Sequence, residues 1–239
     1  MIEMVRRFLR QKFDNPIVAV ALAVMALLIA FPGAFTGQPS PGSGFLALLL
    51  LAAGSVSRDV SSGALQMILA RPISRTDYLW GRFFGILSAY AVFLAAVALL
   101  AVVFSTAVLP ALHVPHAPLQ WAGLARAFAA AFLDGVLVAA VLLFFSTFLP
   151  GWGDVLGYFL LTLFLSALPS IGAGLQKEWL TRLGLALKQN VLPEPNFGAI
   201  FSGERRVSEA VGQWALAITV FLLAAALVFR RREFAYGHD

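Results

Sequence analysis

Long apolar runs separated by short polar segments limit most strongly what this chain can fold into. Residues 16–35 contain no charged side chain, and a helix of about 20 apolar residues crosses a hydrocarbon core about 30 Å thick. Hydrophobic residues make up 60% of the chain and charged residues only 12%, whereas a soluble domain carries about 25% charged residues. The sequence therefore predicts an all-α integral membrane protein.

The apolar runs predict six transmembrane helices in one domain, residues 1–239. The predicted spans are residues 16–35, 45–57, 79–109, 121–149, 155–168 and 211–229. We expect the fifth span to be short and to break at Pro169 and Gly172.

The connection after the fifth span is the longest in the chain, and part of it has a helical pattern. An apolar stripe within residues 177–192 consists of Leu180, Leu183, Leu187 and Val191. This spacing predicts a helix that lies at a membrane interface.

The first fifteen residues predict an amphipathic helix. Its apolar residues recur at helical spacing: Ile2, Val5, Phe8, Leu9 and Phe13. The basic residues between them are Arg6, Arg7, Arg10 and Lys12. This pattern is typical of a helix in the cytoplasmic membrane interface.

Basic residues predict the orientation of the spans, because cytoplasmic loops carry an excess of Lys and Arg. Four precede the first span, four lie between the second and third spans, and three follow the sixth. The first two outer loops have none. Five others, in residues 174–210, would lie outside, against the rule. The even number of spans and the basic ends nevertheless predict that both termini are cytoplasmic.

A short polar insert, residues 59–75, separates the second and third predicted spans and reads DVSSGALQMILARPISR. Leu65, Ile68 and Leu69 share one helical face, and a proline disfavours helix at the residue before it. The pattern predicts a cytoplasmic helix over about residues 61–71. The sequence SRTD at residues 74–77 has the spacing of a capping box, which is a natural start for the third span.

Chemistry alone leaves two interpretations of the insert open. It can dock a cytoplasmic partner through its apolar face, or it can anchor the span ends by contacts between its arginines and lipid headgroups.

The order of residues in and after the insert resembles the signature of type-2 ABC transporter permeases. That signature is an acidic residue, a glycine four positions later, Leu-x3-Leu-x-Arg-Pro-Ile/Val-Ser-Arg, and a Gly-Arg or Gly-Lys pair. The matching positions are Asp59, Gly63, Leu65, Leu69, Arg71, Pro72, Ile73, Ser74, Arg75, Gly81 and Arg82. Position 59 is more often Glu in that family and position 82 more often Lys, and both changes keep the charge. The predicted amphipathic helix, six spans and long connection between spans 5 and 6 also match the family's layout.

The resemblance implies the membrane subunit of an ATP-driven ABC exporter in a prokaryotic inner (cytoplasmic) membrane. In that family the helix after span 2 is a coupling helix that docks into a separate ATPase subunit. The docking residues implied here are Asp59, Gly63, Leu65, Ile68, Leu69, Arg71, Pro72 and Arg75. The connection between spans 5 and 6 is expected to form re-entrant or interfacial helices. The implied partners are the ATPase, the bilayer and a second permease half, identical or homologous.

ATP hydrolysis is not expected in this chain, because it lacks the Gly-x4-Gly-Lys-Ser/Thr loop that binds phosphates. We therefore predict no enzyme activity and no cofactor here, with ATP and Mg²⁺ in the partner ATPase.

The basic residues behind the net charge of +5 lie beside apolar spans, so we predict no nucleic-acid partner. The apolar spans favour a lipophilic cargo. An alternative function is a membrane anchoring or signalling subunit that docks a cytoplasmic partner without transport.

Asp134 lies near the middle of the fourth predicted span, where a carboxylate is costly and usually functional. Arg126 precedes it by eight residues, about 12 Å along a helix. We predict that they line a substrate path or a subunit interface; the alternative is a neutral, structural Asp134.

His113 and His116 make an incomplete metal site, so we expect an exposed loop there and no metal.

Overall fold

The computed structural model describes residues 2–37, 44–61, 74–195, 197–201 and 207–231. Every regular element in these ranges is helical, which confirms the predicted all-α class. The helices are α1 (Ile2–Phe13), α2 (Pro16–Thr36), α3 (Gly44–Ala52), α4 (Ser57–Ser61), α5 (Arg75–Val103), α6 (Leu109–Ala111), α7 (Trp121–Ser146), α8 (Gly153–Gly174), α9 (Glu178–Val191), α10 (Phe197–Phe201) and α11 (Val207–Arg231). A π-helical turn, Phe104–Val108, joins α5 to α6.

Five helices in the described ranges are long and apolar enough to cross a membrane. They are α2, the α5–α6 rod, α7, α8 and most of α11. Their lengths of 21 to 37 residues match or exceed the roughly 20 residues that a bilayer core requires. The chain is therefore a multi-pass membrane protein, as predicted.

The stretch predicted as a second span, residues 45–57, contains a shorter helix. The nine residues of α3 give about 14 Å of helix, and a turn at residues 53–56 separates α3 from α4. Ala47, Leu48 and Leu51 are fully buried, because α3 packs between α2, α5 and α7. A sixth span stays a prediction. The coupling helix also stays a prediction, because six of its predicted docking residues lie outside the described residues: Gly63, Leu65, Ile68, Leu69, Arg71 and Pro72.

Ser74 is the N-cap residue of α5, at the position that the capping-box spacing predicted. The hydroxyl of Ser74 accepts a hydrogen bond from the Asp77 amide at 3.0 Å and donates one to the Asp77 carboxylate at 2.7 Å. Because this cap fixes the first turn, α5 begins at Arg75. The polar first turn lies before the apolar run, so hydropathy placed the start four residues late.

The predicted break at Pro169 is wrong, because α8 continues through it to Gly174. Helix α9 runs antiparallel along this part of α8. A Cβ at Gly172 would lie 2.5 Å from the Thr181 amide nitrogen, and one at Gly184 would lie 2.7 Å from the nitrogen of Pro169. The two backbones therefore touch at these glycines.

The predicted helix within residues 177–192 is present as α9. Its packed face is centred on Gly184, and Leu183 of the predicted apolar stripe is 45% exposed. The position of this stripe at a membrane interface stays a prediction.

Helix α1 packs along the first turns of α5, where two glycines four residues apart make room for it. A Cβ at Gly81 would lie 2.7 Å from Met4 Sδ, and one at Gly85 would lie 3.0 Å from the Phe8 ring. Small residues at this spacing let membrane helices approach closely. Part of the predicted amphipathic face of α1 is therefore covered by protein.

Candidate functional site

A buried polar cluster lies at the end of the bundle from which the insert emerges. Its six side chains are Lys12, Asp59, Tyr78, Arg82, Ser146 and Asp154. Each is at most 9% exposed. Because they come from α1, α4, α5, α7 and α8, this cluster joins five helices.

Asp59 in α4 binds two side chains of α5. Its Oδ2 atom forms an ion pair with Arg82 Nη2 and accepts a hydrogen bond from Tyr78 Oη at 2.5 Å. Arg82 Nε donates to Tyr78 Oη at 3.1 Å, which closes a triangle. Tyr78 and Arg82 are four residues apart and therefore share one face of α5. The third guanidinium nitrogen of Arg82, Nη1, donates to Gln11 Oε1 at 3.3 Å, which ties the triangle to α1.

Lys12 brings the end of α1 into the same cluster. Its ammonium donates to the Ala53 carbonyl at 3.0 Å and lies 5.7 Å from the centre of the Phe8 ring. Burial, followed by the positive charges of Arg58 and Arg82, lowers the pKa of Lys12 to about 8. The sequence pattern predicts Lys12 at the membrane interface, but the structure buries its side chain, where the ammonium satisfies a carbonyl of the turn after α3.

Asp154 and Ser146 hold the turn between α3 and α4. The Asp154 carboxylate accepts the Gly54 amide at 2.7 Å, and Ser146 Oγ accepts the amides of Val56 and Ser57 at 3.0 and 3.3 Å. Buried amides of this kind require an acceptor. The turn that leads into α4 is thereby fixed to the α7–α8 turn.

The chain is also held where it returns from the insert. Arg75 Nη1 donates to the Arg230 carbonyl at 3.0 Å, which links the start of α5 to the last turn of α11. Tyr78 is the fourth residue of α5, and its ring stacks on Phe229 with the ring centroids 5.7 Å apart. Both described ends of the insert are thus bound to the helix bundle, one by the buried polar cluster and the other by α11.

Two of the predicted docking residues lie in the described ranges, and both contact the chain itself. Asp59 is only 5% exposed, because its carboxylate points towards α5. Arg75 reaches α11. The resemblance implied polar contact with an ATPase for both.

Asp134 and Arg126 are both exposed on α7, and the structure does not bring them together. Within the described residues neither side chain makes a hydrogen bond or an ion pair. Glu194, which follows α9, pairs with Lys188 at 3.2 Å.

The histidine loop provides no metal site in the described part of the chain, where no group of three or more candidate ligands occurs. His116 Nδ1 lies 2.9 Å from the Val114 carbonyl, and His113 has a left-handed backbone conformation with φ of 54°. The loop packs on the end of α2 through a hydrogen bond from the Ala117 amide to the Phe35 carbonyl.

Five members of the buried polar cluster were not among the predicted site residues: Lys12, Tyr78, Arg82, Ser146 and Asp154. Arg82 was a position of the matched motif, without a predicted role. Polar residues at the ends of apolar runs are usually attributed to the membrane interface. One signal was present, because Tyr78 and Arg82 have the i,i+4 spacing that places two polar groups on one face of an apolar helix.

No protein-family model matches this chain, and no curated protein matches it. The resemblance to type-2 ABC permeases therefore rests on the motif and the predicted layout.

Proposed function

We propose that this chain is the membrane subunit of an ATP-driven ABC exporter and that the predicted coupling helix, about residues 61–71, docks a separate ATPase. The observation that carries the proposal is the buried polar cluster, which joins α4, at the entry to the insert, to four other helices. An element that receives force from a partner needs a firm attachment to the parts that must move. The residue order of the insert supplies the second support.

The ion pair between Asp59 and Arg82 suits such an attachment. Separating a buried pair, or removing one partner, leaves an uncompensated charge and typically costs about 3–5 kcal/mol. Helix α4 and the start of α5 are therefore expected to move as one body. Ser146 and Asp154 extend that body to α7 and α8, so a displacement of the insert would change the packing of several spans together.

Asp134 is a candidate for the transport path or for the contact with the second permease half. It lies about 20 Å along α7 from Trp121 and about 18 Å from Ser146, which is mid-depth in the membrane. Its exposure in the middle of an apolar span is costly unless a cavity or another subunit covers it. The antiparallel packing of α9 against α8 favours a re-entrant connection between the last two spans.

A six-span topology with both termini cytoplasmic in a prokaryotic inner membrane is part of this proposal. It places α1, the insert and the buried polar cluster on the ATPase side.

Co-purification tests the docking claim. We expect an ATPase with a phosphate-binding loop to co-purify with the tagged chain, and we expect Leu65→Asp or Leu69→Asp to abolish its recovery. The matched control is Leu112→Asp, because Leu112 is a 66% exposed leucine in the loop at the far end of α5–α6. An intact complex with full ATP-dependent transport in either insert variant would contradict the proposal. An ATPase that binds without any ATP-dependent transport would favour the anchoring or signalling alternative.

A further inference from the structure

An apolar groove lies on the surface of the bundle between α5 and α11. It encloses about 170 Å³, and its walls include Trp80 and Phe83 of α5, Leu143 of α7, and Leu222 and Ala226 of α11. The side chain of Trp80 is held at the groove by stacking on Phe84, with ring centroids 5.7 Å apart. The groove is therefore formed by side chains that contact one another.

The groove extends from the polar end of the bundle towards its apolar middle. Thr76, which lines one end, is in the first turn of α5, and Thr219 lines the other end on α11. Thr219 and Ala226 are seven positions apart, which corresponds to about 10 Å along the helix. Thr219 donates its hydroxyl to the Ala215 carbonyl at 2.8 Å, so this residue does not require a polar ligand.

Positive charge marks the polar end of the groove. Arg230 lies one helical turn after Ala226, and both Arg230 and the adjacent Arg231 are exposed. Arg75, the residue before Thr76, also reaches this corner through its hydrogen bond to the Arg230 carbonyl. The nearby carboxylate of Asp77 accepts the hydroxyl of Ser74 at the start of α5.

We propose that this groove binds an acyl chain of an anionic phospholipid, with the lipid phosphate at Arg230 and Arg231. The groove opens from two membrane-spanning helices, where hydrocarbon chains are the surrounding solvent. A hydrocarbon tail matches its apolar walls, and arginine is well suited to a phosphate group at the membrane surface. This site does not depend on the proposed transport function; under the proposed topology the lipid belongs to the cytoplasmic leaflet.

Quenching of Trp80 fluorescence tests the site. The probe is a variant in which the other four tryptophans are Phe, reconstituted into phosphatidylcholine with increasing phosphatidylglycerol that carries brominated chains. A basic residue near a membrane surface favours anionic lipid by about 1 kcal/mol, or about fivefold. We therefore expect half-maximal quenching at a mole fraction at least about fivefold lower with brominated phosphatidylglycerol than with brominated phosphatidylcholine.

Two substitutions locate the lipid. Ala226→Phe fills the groove and should remove the preference, whereas Ala96→Phe, on an exposed face of α5 away from the groove, should keep it. Replacing Arg230 and Arg231 by Gln should equalise the two lipids without abolishing quenching. Native mass spectrometry of the wild-type chain checks the same preference without the tryptophan replacements and should show retained phosphatidylglycerol.

Three results would overturn the proposal. The first is equal quenching by the two lipids together with no retained phosphatidylglycerol. The second is an unchanged preference in Ala226→Phe. The third is no quenching of Trp80 by either lipid, which would mean that protein, such as a second copy of the chain, covers the groove.

Discussion

The substitution Asp59→Asn tests the buried polar cluster most sharply. Asn has nearly the same shape as Asp and can still accept the hydrogen bond from Tyr78, but it removes the negative charge that faces Arg82. The side chains of Asp59 and Arg82 are only 7% and 11% exposed, so water cannot replace the lost charge. The guanidinium would be left buried without its counterion.

The expected loss follows from that burial. Breaking a buried ion pair from one side typically costs about 3–5 kcal/mol, and the hydrogen bond retained by Asn places this variant near about 3 kcal/mol. For a chain of this size, each kcal/mol lowers Tm by about 2–4 °C. Asp59→Asn should therefore lower Tm by roughly 6–12 °C.

Thermal unfolding of the purified chain in detergent, followed by tryptophan fluorescence, provides the assay. Glu178→Gln is the matched control, because Glu178 pairs with Arg182 on the surface of α9 with both side chains more than 80% exposed. Exposed i,i+4 pairs contribute only about 0.3–0.5 kcal/mol. A double variant, Asp59→Leu with Arg82→Met, should recover most of the loss, because it leaves no buried charge unpaired. Equal shifts for Asp59→Asn and Glu178→Gln would refute the reasoning.

Three further predictions concern the same region. The pKa of Lys12 is about 8 in the folded chain, against an ordinary value of 10.5. Between pH 8 and 10.5 the unfolded chain therefore binds more protons than the folded chain, and the contribution of Lys12 to stability should increase as pH rises. Tm measured from pH 7 to 11 should show that increase in the wild type relative to Lys12→Met; parallel curves for the two proteins would contradict it. Ser146→Ala leaves two buried amides without their acceptor and should cost about 1–3 kcal/mol, whereas a shift in Tm below 1 °C would exclude that role. Gly85→Ile should push α1 away from α5 and lower stability by about 1–3 kcal/mol. Gly212→Ile is the control and should have little effect, because a Cβ there meets nothing within 4 Å. Equal shifts in Tm for the two variants would contradict the close packing at Gly85.

Local signals in the sequence predicted the helical class and several boundaries. The capping spacing of Ser74 and Asp77 predicted the start of α5, and the Ser74 side chain accepts a hydrogen bond from the Asp77 amide in that helix's first turn. Asn15 caps α2 in the same way, although its cap was not among the predictions. Such caps act over three residues and need no knowledge of the rest of the chain. The apolar runs after them are long enough to predict α2 and α5 directly.

Tertiary packing decided the features that the sequence did not predict. Helix α8 continues through Pro169 where α9 packs against it, and the contact is made by Gly184, which has no side chain to signal it. The run at residues 45–57 resembles other apolar runs, but Gly54 adopts a left-handed conformation with φ of 66° and helps to end that helical stretch in a turn.

The buried polar cluster was beyond sequence reasoning for a related reason. Lys12, Asp59 and Asp154 are separated by 47 and 95 residues along the chain, and each alone looks like an ordinary polar residue at the end of a span. Only the packing of α1 and α4 against α5, α7 and α8 removes them from the surface. Lys12 and Asp154 bind backbone groups, which leave no charge pattern in the sequence, and Asp59 pairs with Arg82 of another helix.

Photo-crosslinking at residue 69 in the native membrane tests the central claim most directly. A photoreactive phenylalanine analogue replaces Leu69, and the crosslinked product is identified by mass spectrometry. The account predicts a crosslink to an ATPase that contains a phosphate-binding loop, and no such product when the analogue replaces Leu112. A crosslink from residue 69 only to lipid, with the same products from residue 112, would contradict it.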